Sequence, residues 1–222
     1  MKRFQFAVVL FFLSMSIAPA FAGDTQVNIS NEANSTWCGE PYNQPINCST
    51  FPTGSQTYNS VGFDIPTSNN AWFADVAAQG QSGQVSVKIP VNVKNVKTVY
   101  TLMNTLWGSK TKDLLTITFT GTGGASWTYE IIEGSDTRDY NNGNYLNTID
   151  CRLPSIPTKT LGKTGSVSAF TNKKGQRLDM QMFELPTSFA GQTLVSVTIT
   201  DNGGPEVQRS FLAAMTVSTS AP

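Results

Sequence analysis

Leu115, Ile117 and Phe119 alternate with Thr116, Thr118 and Thr120. After Thr122-Gly123-Gly124 the alternation resumes, with Trp127, Tyr129 and Ile131 set against Ser126, Thr128 and Glu130. A period of two with one apolar set marks strands that bury one face, and a glycine-rich break between two such strands marks a hairpin. The pattern therefore predicts strands over 114–121 and 126–132. Near the C-terminus it predicts three consecutive strands, 178–185, 193–200 and 209–217, with Pro186 after the first and the turn Asp201-Asn202-Gly203-Gly204 before the last. Val195, Val197 and Ile199 share one face of the middle strand; Phe211, Ala213, Met215 and Val217 share one face of the last. Weaker runs at 26–29, 60–65, 85–89 and 167–170 bring the expected total to nine or ten strands.

The stretch 99–107 reads two ways, because Val99, Leu102, Met103 and Leu106 also fit a helix face and period alone cannot decide so short a run. Gly108 ends it and its neighbours are strand-like, so it is expected to be a strand that runs into a loop at Asn104. Residues 71–79 are expected to hold one short helical turn. No segment sustains a helical period and there is no internal repeat, so the expected fold is all-β, a sandwich or barrel in one domain.

The N-terminus changes the picture of where such a domain works. Lys2 and Arg3 precede the apolar run from Phe4 to Phe12, and Ala20-Phe21-Ala22 offers small residues for cleavage. This is the pattern of a secretory signal peptide over 1–22, too short to span a bilayer. A bacterial export route, periplasmic or fully secreted, is expected for residues 23–222. That chain carries 13 basic and 15 acidic residues, since Lys2 and Arg3 are two of the 15 basic ones. Its strongest basic cluster is Lys173-Lys174-x-x-Arg177, expected at a solvated hairpin tip around Gly175, so nucleic acid is an unexpected partner. A second membrane-spanning segment is not expected either.

Of the three cysteines, Cys38 and Cys48 are the expected disulfide. Nine residues rich in Gly, Pro and Asn separate them, in a segment that needs a staple; Cys151 is left over, and its pairing with either of the others stays open. Residues 23–55 are thus read as a stapled N-terminal segment and 56–222 as the sandwich core, with Trp37 packing on the staple. The chain has no histidine. That removes Ser-His-Asp and Cys-His nucleophilic sites and the usual zinc environments, while leaving carboxylate chemistry and oxygen-ligated calcium.

Several strings then form a familiar set: Val99-Tyr-Thr-Leu-Met-Asn-Thr-x-Trp-Gly108, Thr118-Phe-Thr-Gly-x-Gly-Gly-Ala125, Arg138-Asp-Tyr140, Met180-Gln-Met-Phe-Glu-Leu-Pro186 and Thr193-Leu-Val-Ser-Val-Thr-Ile-Thr-Asp201. Over about residues 58–218 they resemble galactose-binding-like jelly-roll domains, the carbohydrate-binding-module type of β-sandwich found in secreted bacterial proteins. The stand-alone plan is also similar to small type II secretion substrates of intracellular bacterial pathogens. The resemblance implies a jelly-roll sandwich, a glycan or surface polysaccharide as partner, and a calcium ion among the possible cofactors, with Asp64, Asp136, Asp139 and Asp201 as the oxygen supply.

A sugar site needs an aromatic face for the ring and planar amide, guanidinium or carboxylate groups for its hydroxyls. The loop 136–145 holds all of these, and Trp107 at the end of a strand is placed to join it. Asn104, Trp107, Arg138, Asp139 and Tyr140 are the expected ligand-binding residues; in the competing structural reading Arg138 pairs with Asp136 or Asp139 to lock the loop. Trp72-Phe73 is a second possible platform. The leading expectation is a secreted, non-catalytic glycan-binding protein. Its alternatives are an effector or adhesin that grips a host protein, and a small glycoside hydrolase in which Glu130 and Glu184 face one cleft.

Overall fold

The computed structural model describes residues 23–39, 49–74, 84–106, 115–131, 136–141, 165–203 and 209–219. Within them lie β1 (Asp24–Val27), β2 (Gly54–Tyr58), β3 (Val61–Ile65), β4 (Trp72–Phe73), β5 (Val85–Lys94), β6 (Thr98–Leu106), β7 (Leu115–Gly121), β8 (Ser126–Ile131), β9 (Gly165–Thr171), β10 (Arg177–Glu184), β11 (Thr193–Asp201) and β12 (Arg209–Ser218). One sheet runs β1-β12-β6-β10-β9, with β4 also on β12; a second runs β5-β11-β7-β8; β2 and β3 form a separate pair. All strand pairs are antiparallel. The fold is an all-β sandwich.

Alternation builds the space between the two large sheets. Val85, Val87 and Ile89 of β5, Leu115, Ile117 and Phe119 of β7, and Val197 and Ile199 of β11 meet Val99 and Met103 of β6, Phe183 of β10 and Leu212, Met215 and Val217 of β12 in one apolar cluster. The opposite face of the second sheet is hydroxyl-rich and turned to solvent. Thr118 bonds Thr128 and Ser86 bonds Thr200 across neighbouring strands, each at 2.9 Å, the pairing that favours β-branched polar residues on a solvated sheet. Pro90 sits in β5, which among the described residues pairs with β11 alone, and an edge strand tolerates the missing donor.

The first sheet differs in being covered on both faces. Its outer face carries Leu102, Leu106, Leu178, Met180, Met182 and Phe211, and these pack against Trp37, Phe51, Phe63 and Ile65 from the N-terminal third. Trp37 is 1% exposed; its ring meets Phe51, Phe211 and Phe73 at 4.8, 5.9 and 6.3 Å, and its Nε1 donates to the Pro52 carbonyl at 2.9 Å. Trp37 and Phe51 thus belong, with β2 and β3, to a layer over that face, while β1 pairs along β12 within the first sheet itself. Cys38 is disulfide-bonded; Cys48 and Cys151 lie outside the described residues, as do residues 1–22.

Two expectations are corrected by this third layer. Trp72 and Phe73 form neither an exposed platform nor a helical turn: they make β4, extended and paired with Leu212 and Phe211. In a strand, neighbours point to opposite faces, and here both faces are covered, so Trp72 enters the inner cluster and Phe73 the outer one. The basic cluster is corrected in part. Lys173, Lys174 and Gly175 do form the β9–β10 turn, fastened by the Asn172 carboxamide oxygen, which accepts from the N–H groups of Lys174 and Gln176. Arg177 is only 6% exposed and belongs to the interior. The run 99–107 is a strand over its described part, but it does not pass into a loop at Asn104: β6 continues to Leu106, with Asn104 paired to Phe211 of β12.

The β7–β8 connection requires glycine. Gly123 has φ +64°, and a Cβ there would stand 2.8 Å from Oε1 of Gln192. Thr122 Oγ1 also donates to that oxygen, so the side chain of Gln192 is held in place. We expect Gly123→Ala to cost about 1–2 kcal/mol through left-handed backbone strain and the contact. A urea-melt midpoint unchanged from wild type would contradict this.

Candidate functional site

The β6–β10 ladder stops at Asp179 opposite Met103, and there the side chain of Asn104 takes over from the backbone. Its Oδ1 accepts from the Asp179 N–H at 2.8 Å, while its Nδ2 donates to Asp179 Oδ2 at 2.6 Å and to the Arg138 carbonyl at 3.2 Å. A carboxamide, with both donor and acceptor, can end a ladder without orphaning the strand it faces. Past this point the two strands part and residues 138–140 run between them. The Thr105 N–H donates to the Arg138 carbonyl and the Tyr140 N–H to the Thr105 carbonyl on one side; the Arg177 N–H donates to the Tyr140 carbonyl on the other.

The inserted segment is fixed by charge. Arg138 forks onto Asp179, Nε to Oδ2 and NH2 to Oδ1, both at 2.9 Å; the Asp179 side chain is fully buried and that of Arg138 is 14% exposed. Arg177 donates from Nε to the Asp139 carbonyl at 3.0 Å. Burial, then the like charge of Arg138, lowers the Arg177 pKa, against the opposing pull of Asp179 and Asp139. Gln181 donates to the carbonyls of Met103 and Asp136 and accepts from Thr101. Asp139 accepts the Asn141 N–H at 2.7 Å.

This polar group adjoins an aromatic wall. On β8, Trp127 and Tyr129 are half-buried on the inner face; Trp127 stacks on Phe119 at 5.2 Å and 18°, and Tyr129 meets Trp127 at 5.8 Å and Phe183 at 5.7 Å. The Tyr129 hydroxyl donates to Asp136 Oδ2 at 2.9 Å, which ties wall to network. Tyr129 of β8 meets Phe183 of β10, and among the described residues the second sheet ends at β8 while the first continues past β10 to β9. Ser166 and Ser168 of β9 are register partners of Gln181 and Asp179; Ser168 is exposed, whereas Ser166, Gln181 and Asp179 are fully buried.

Four of the five expected site residues thus converge. Asn104, Asp139 and Tyr140 are buried, with the Tyr140 ring 6.2 Å from Phe211, and Arg138 alone of the four is partly exposed. Trp107 lies outside the described residues. Among the described residues the carboxylate that Arg138 forks onto is that of Asp179, where the structural reading had Asp136 or Asp139. Trp127, Tyr129, Asp179 and Gln181 were not among the expected residues. The available signal was an aspartate and a glutamine in an otherwise apolar stretch, Leu178 to Phe183, where buried polar groups require partners.

The remaining candidates stand apart. Asp64 is exposed on β3, and among the described residues no group of three or more Asp, Glu, Cys or His side chains is arranged to hold a metal. Glu130 points outward from the second sheet. Glu184 follows Phe183, whose side chain enters the inner cluster, and so faces away from that interior; the two glutamates share no cleft. Among the described residues no helix is long and apolar enough to cross a membrane.

Asp201 closes the same end of the sandwich, its carboxylate accepting from the Gly203 N–H at 2.8 Å and the Ser210 N–H at 2.7 Å. Burial raises its pKa above the ordinary 3.8, against those donors and Arg209. A carboxyl that holds its proton more tightly when folded favours the fold most when protonated. That contribution is complete below the unfolded pKa and lost as pH rises through the folded one. The stability of wild type relative to Asp201→Asn is therefore expected to fall as pH rises from about 3 towards 7. Urea melts across that range check it, and a difference that grows with pH would refute it.

No family model and no curated protein matches this chain.

Proposed function

We propose that residues 23–222 form an exported, non-catalytic carbohydrate-binding domain of the galactose-binding-like jelly-roll type, attaching to a host glycan or surface polysaccharide. The strand order supports the jelly-roll part of the reading. With β1-β12-β6-β10 over β5-β11-β7-β8, the chain changes sheets at β4–β5, β5–β6, β6–β7, β8–β9, β10–β11 and β11–β12, the winding of paired Greek keys. The observation that carries the binding part is the open edge at β8. There a half-buried Trp127–Tyr129 wall is tied through Asp136 to the segment that carries the partly exposed Arg138, and Ser168 of β9, the register partner of Asp179, is exposed. An aromatic face for a pyranose ring and fixed planar groups for its hydroxyls are the chemistry a neutral sugar requires.

The experiment is an array of glycans probed with residues 23–222, with and without calcium. Saturable binding is expected, weakened about tenfold or more by Trp127→Ala, since ring stacking and its buried area supply much of a sugar's affinity. Trp107→Ala tests whether that residue joins the site. Absence of binding to every glycan, or binding untouched by both variants while each remains folded, would turn the reading towards a protein receptor.

A further inference from the structure

We infer that the Trp127–Tyr129 wall selects a helically wound glucan over a flat, ribbon-like one; the inference rests on the glycan reading of this domain and names the chain it takes. The two rings stand at successive same-side positions of β8, with centroids 5.8 Å apart and planes 59° apart. That tilt is set by what lies beneath each ring. Phe119, the register partner of Trp127 on β7, lies nearly parallel to the indole, 5.2 Å away at 18°. Tyr129 meets Phe183 of the other sheet edge-on, at 5.7 Å and 68°, and its hydroxyl is held by Asp136. Phe183 is fully buried and meets Phe119 as well, at 5.5 Å, so one core ring braces both supports. Neither aromatic plane swings into line with the other without breaking these contacts, and the wall is thus preformed.

Phe119 covers the indole face that looks back along the sheet. The other face looks off the edge, where among the described residues no strand pairs with β8. Sugar rings lie against aromatic faces through their C–H bonds, so a chain bound to both rings presents successive pyranoses at much the same angle as the rings themselves. In a flat chain, such as a β-1,4-linked glucan, neighbouring rings lie near one plane, and only one of them can stack on a wall tilted in this way. In a helically wound chain, such as an α-1,4- or β-1,3-linked glucan, each ring is turned against the last, and two neighbours stack together. Glucose suits both positions because its equatorial substituents leave C–H groups on either face. The tilt of the wall therefore reads the shape of the chain.

Maltohexaose, laminarihexaose and cellohexaose hold the same number of glucose units and differ in linkage alone, so calorimetric titration of each into residues 23–222 tests the inference. At least one of the two wound chains is expected to bind about tenfold tighter than cellohexaose, the worth of one added ring contact, and the better of the two identifies the linkage. Tyr129→Ala should erase the difference, since a single remaining ring reads no angle, and Trp127→Ala should weaken every chain; circular dichroism checks that each variant is folded. Cellohexaose binding as tightly as both wound chains, or free glucose as tightly as the hexaoses, would overturn the inference. So would binding of other glycans on the array with none of these three, which leaves the glycan reading standing. Silence of the whole array would overturn that reading together with the inference.

Discussion

Arg138→Ala is expected to destabilise the domain by about 3–5 kcal/mol, and Asp179→Ala by less. The asymmetry follows from where each charge is left. Removing Arg138 strands a carboxylate that is fully buried on β10; removing Asp179 leaves a guanidinium that is already 14% exposed and has a short path to water. Both variants also disturb the end of the β6–β10 ladder, since Asn104 hands the register to Asp179 and holds the Arg138 carbonyl. A double variant, Arg138→Met with Asp179→Leu, should recover much of the loss, because an apolar pair removes both desolvation costs. Urea melts of wild type, Arg138→Met, Asp179→Leu and the double variant form a double-mutant cycle. Additive losses, or a single-variant loss under about 1 kcal/mol, would mean that the fork does not hold residues 138–140 in place.

This fork was half legible in the sequence. Arg138-Asp139-Tyr140 stands out because charged and aromatic residues adjoin in a polar loop, and four of the five expected residues do meet. What the sequence withheld is direction. Asp179 lies 41 positions from Arg138 in the chain; that Asp179 and Gln181 stand among apolar neighbours says that they need partners, but local composition does not say which residue the partner is. The edge strand β8 shows the converse. Trp127 and Tyr129 read as one buried face from alternation, correctly as far as it goes, but a strand at the rim of its sheet leaves that face half open. Alternation reports which side faces inward and does not report how far the sheet extends.

The outer layer marks a second boundary of legibility. An alternating strand with one apolar face identifies itself, as β7, β8 and β11 do. β6, buried on both sides, reads equally as strand or helix. β12 reads as a strand with Phe211, Ala213, Met215 and Val217 on one face, but the irregularity between Leu212 and Ala214 sends Phe211 and Ala213 to the outer cluster and Met215 and Val217 to the inner one. The cover over that second face was hidden because β2, Gly-Ser-Gln-Thr-Tyr, is nearly all polar; its place is set by pairing with β3 through a turn in which Asn59 and Ser60 both have positive φ. Two adjacent aromatics, Trp72 and Phe73, are the clearest sequence trace of a sheet covered twice. A single extended dipeptide buries both rings only when apolar matter lies on each side.

Trp37→Ala, which removes the keystone of that cover, is expected to cost about 3–5 kcal/mol. Trp37 is 1% exposed among Phe51, Phe73 and Phe211, so truncation leaves a large void lined by rings that belong to three separate segments. Its Nε1 bond to Pro52 is lost as well, and its own N–H is held by Asn70 Oδ1, so local collapse is resisted by the backbone. Trp37→Phe should retain part of the packing and lose the hydrogen bond, for about 1–2 kcal/mol. If the cover is integral to the sandwich, Trp37→Ala keeps one cooperative urea transition at a lower midpoint, since Phe73 and Phe211 carry the disturbance directly into β4 and β12. A separate early transition with the main midpoint unchanged would instead make the N-terminal layer an independent unit. The same measurement thus decides whether residues 23–55 are part of the folding core or an addition to it, because only an integral layer transmits the loss of one ring to both strands beneath.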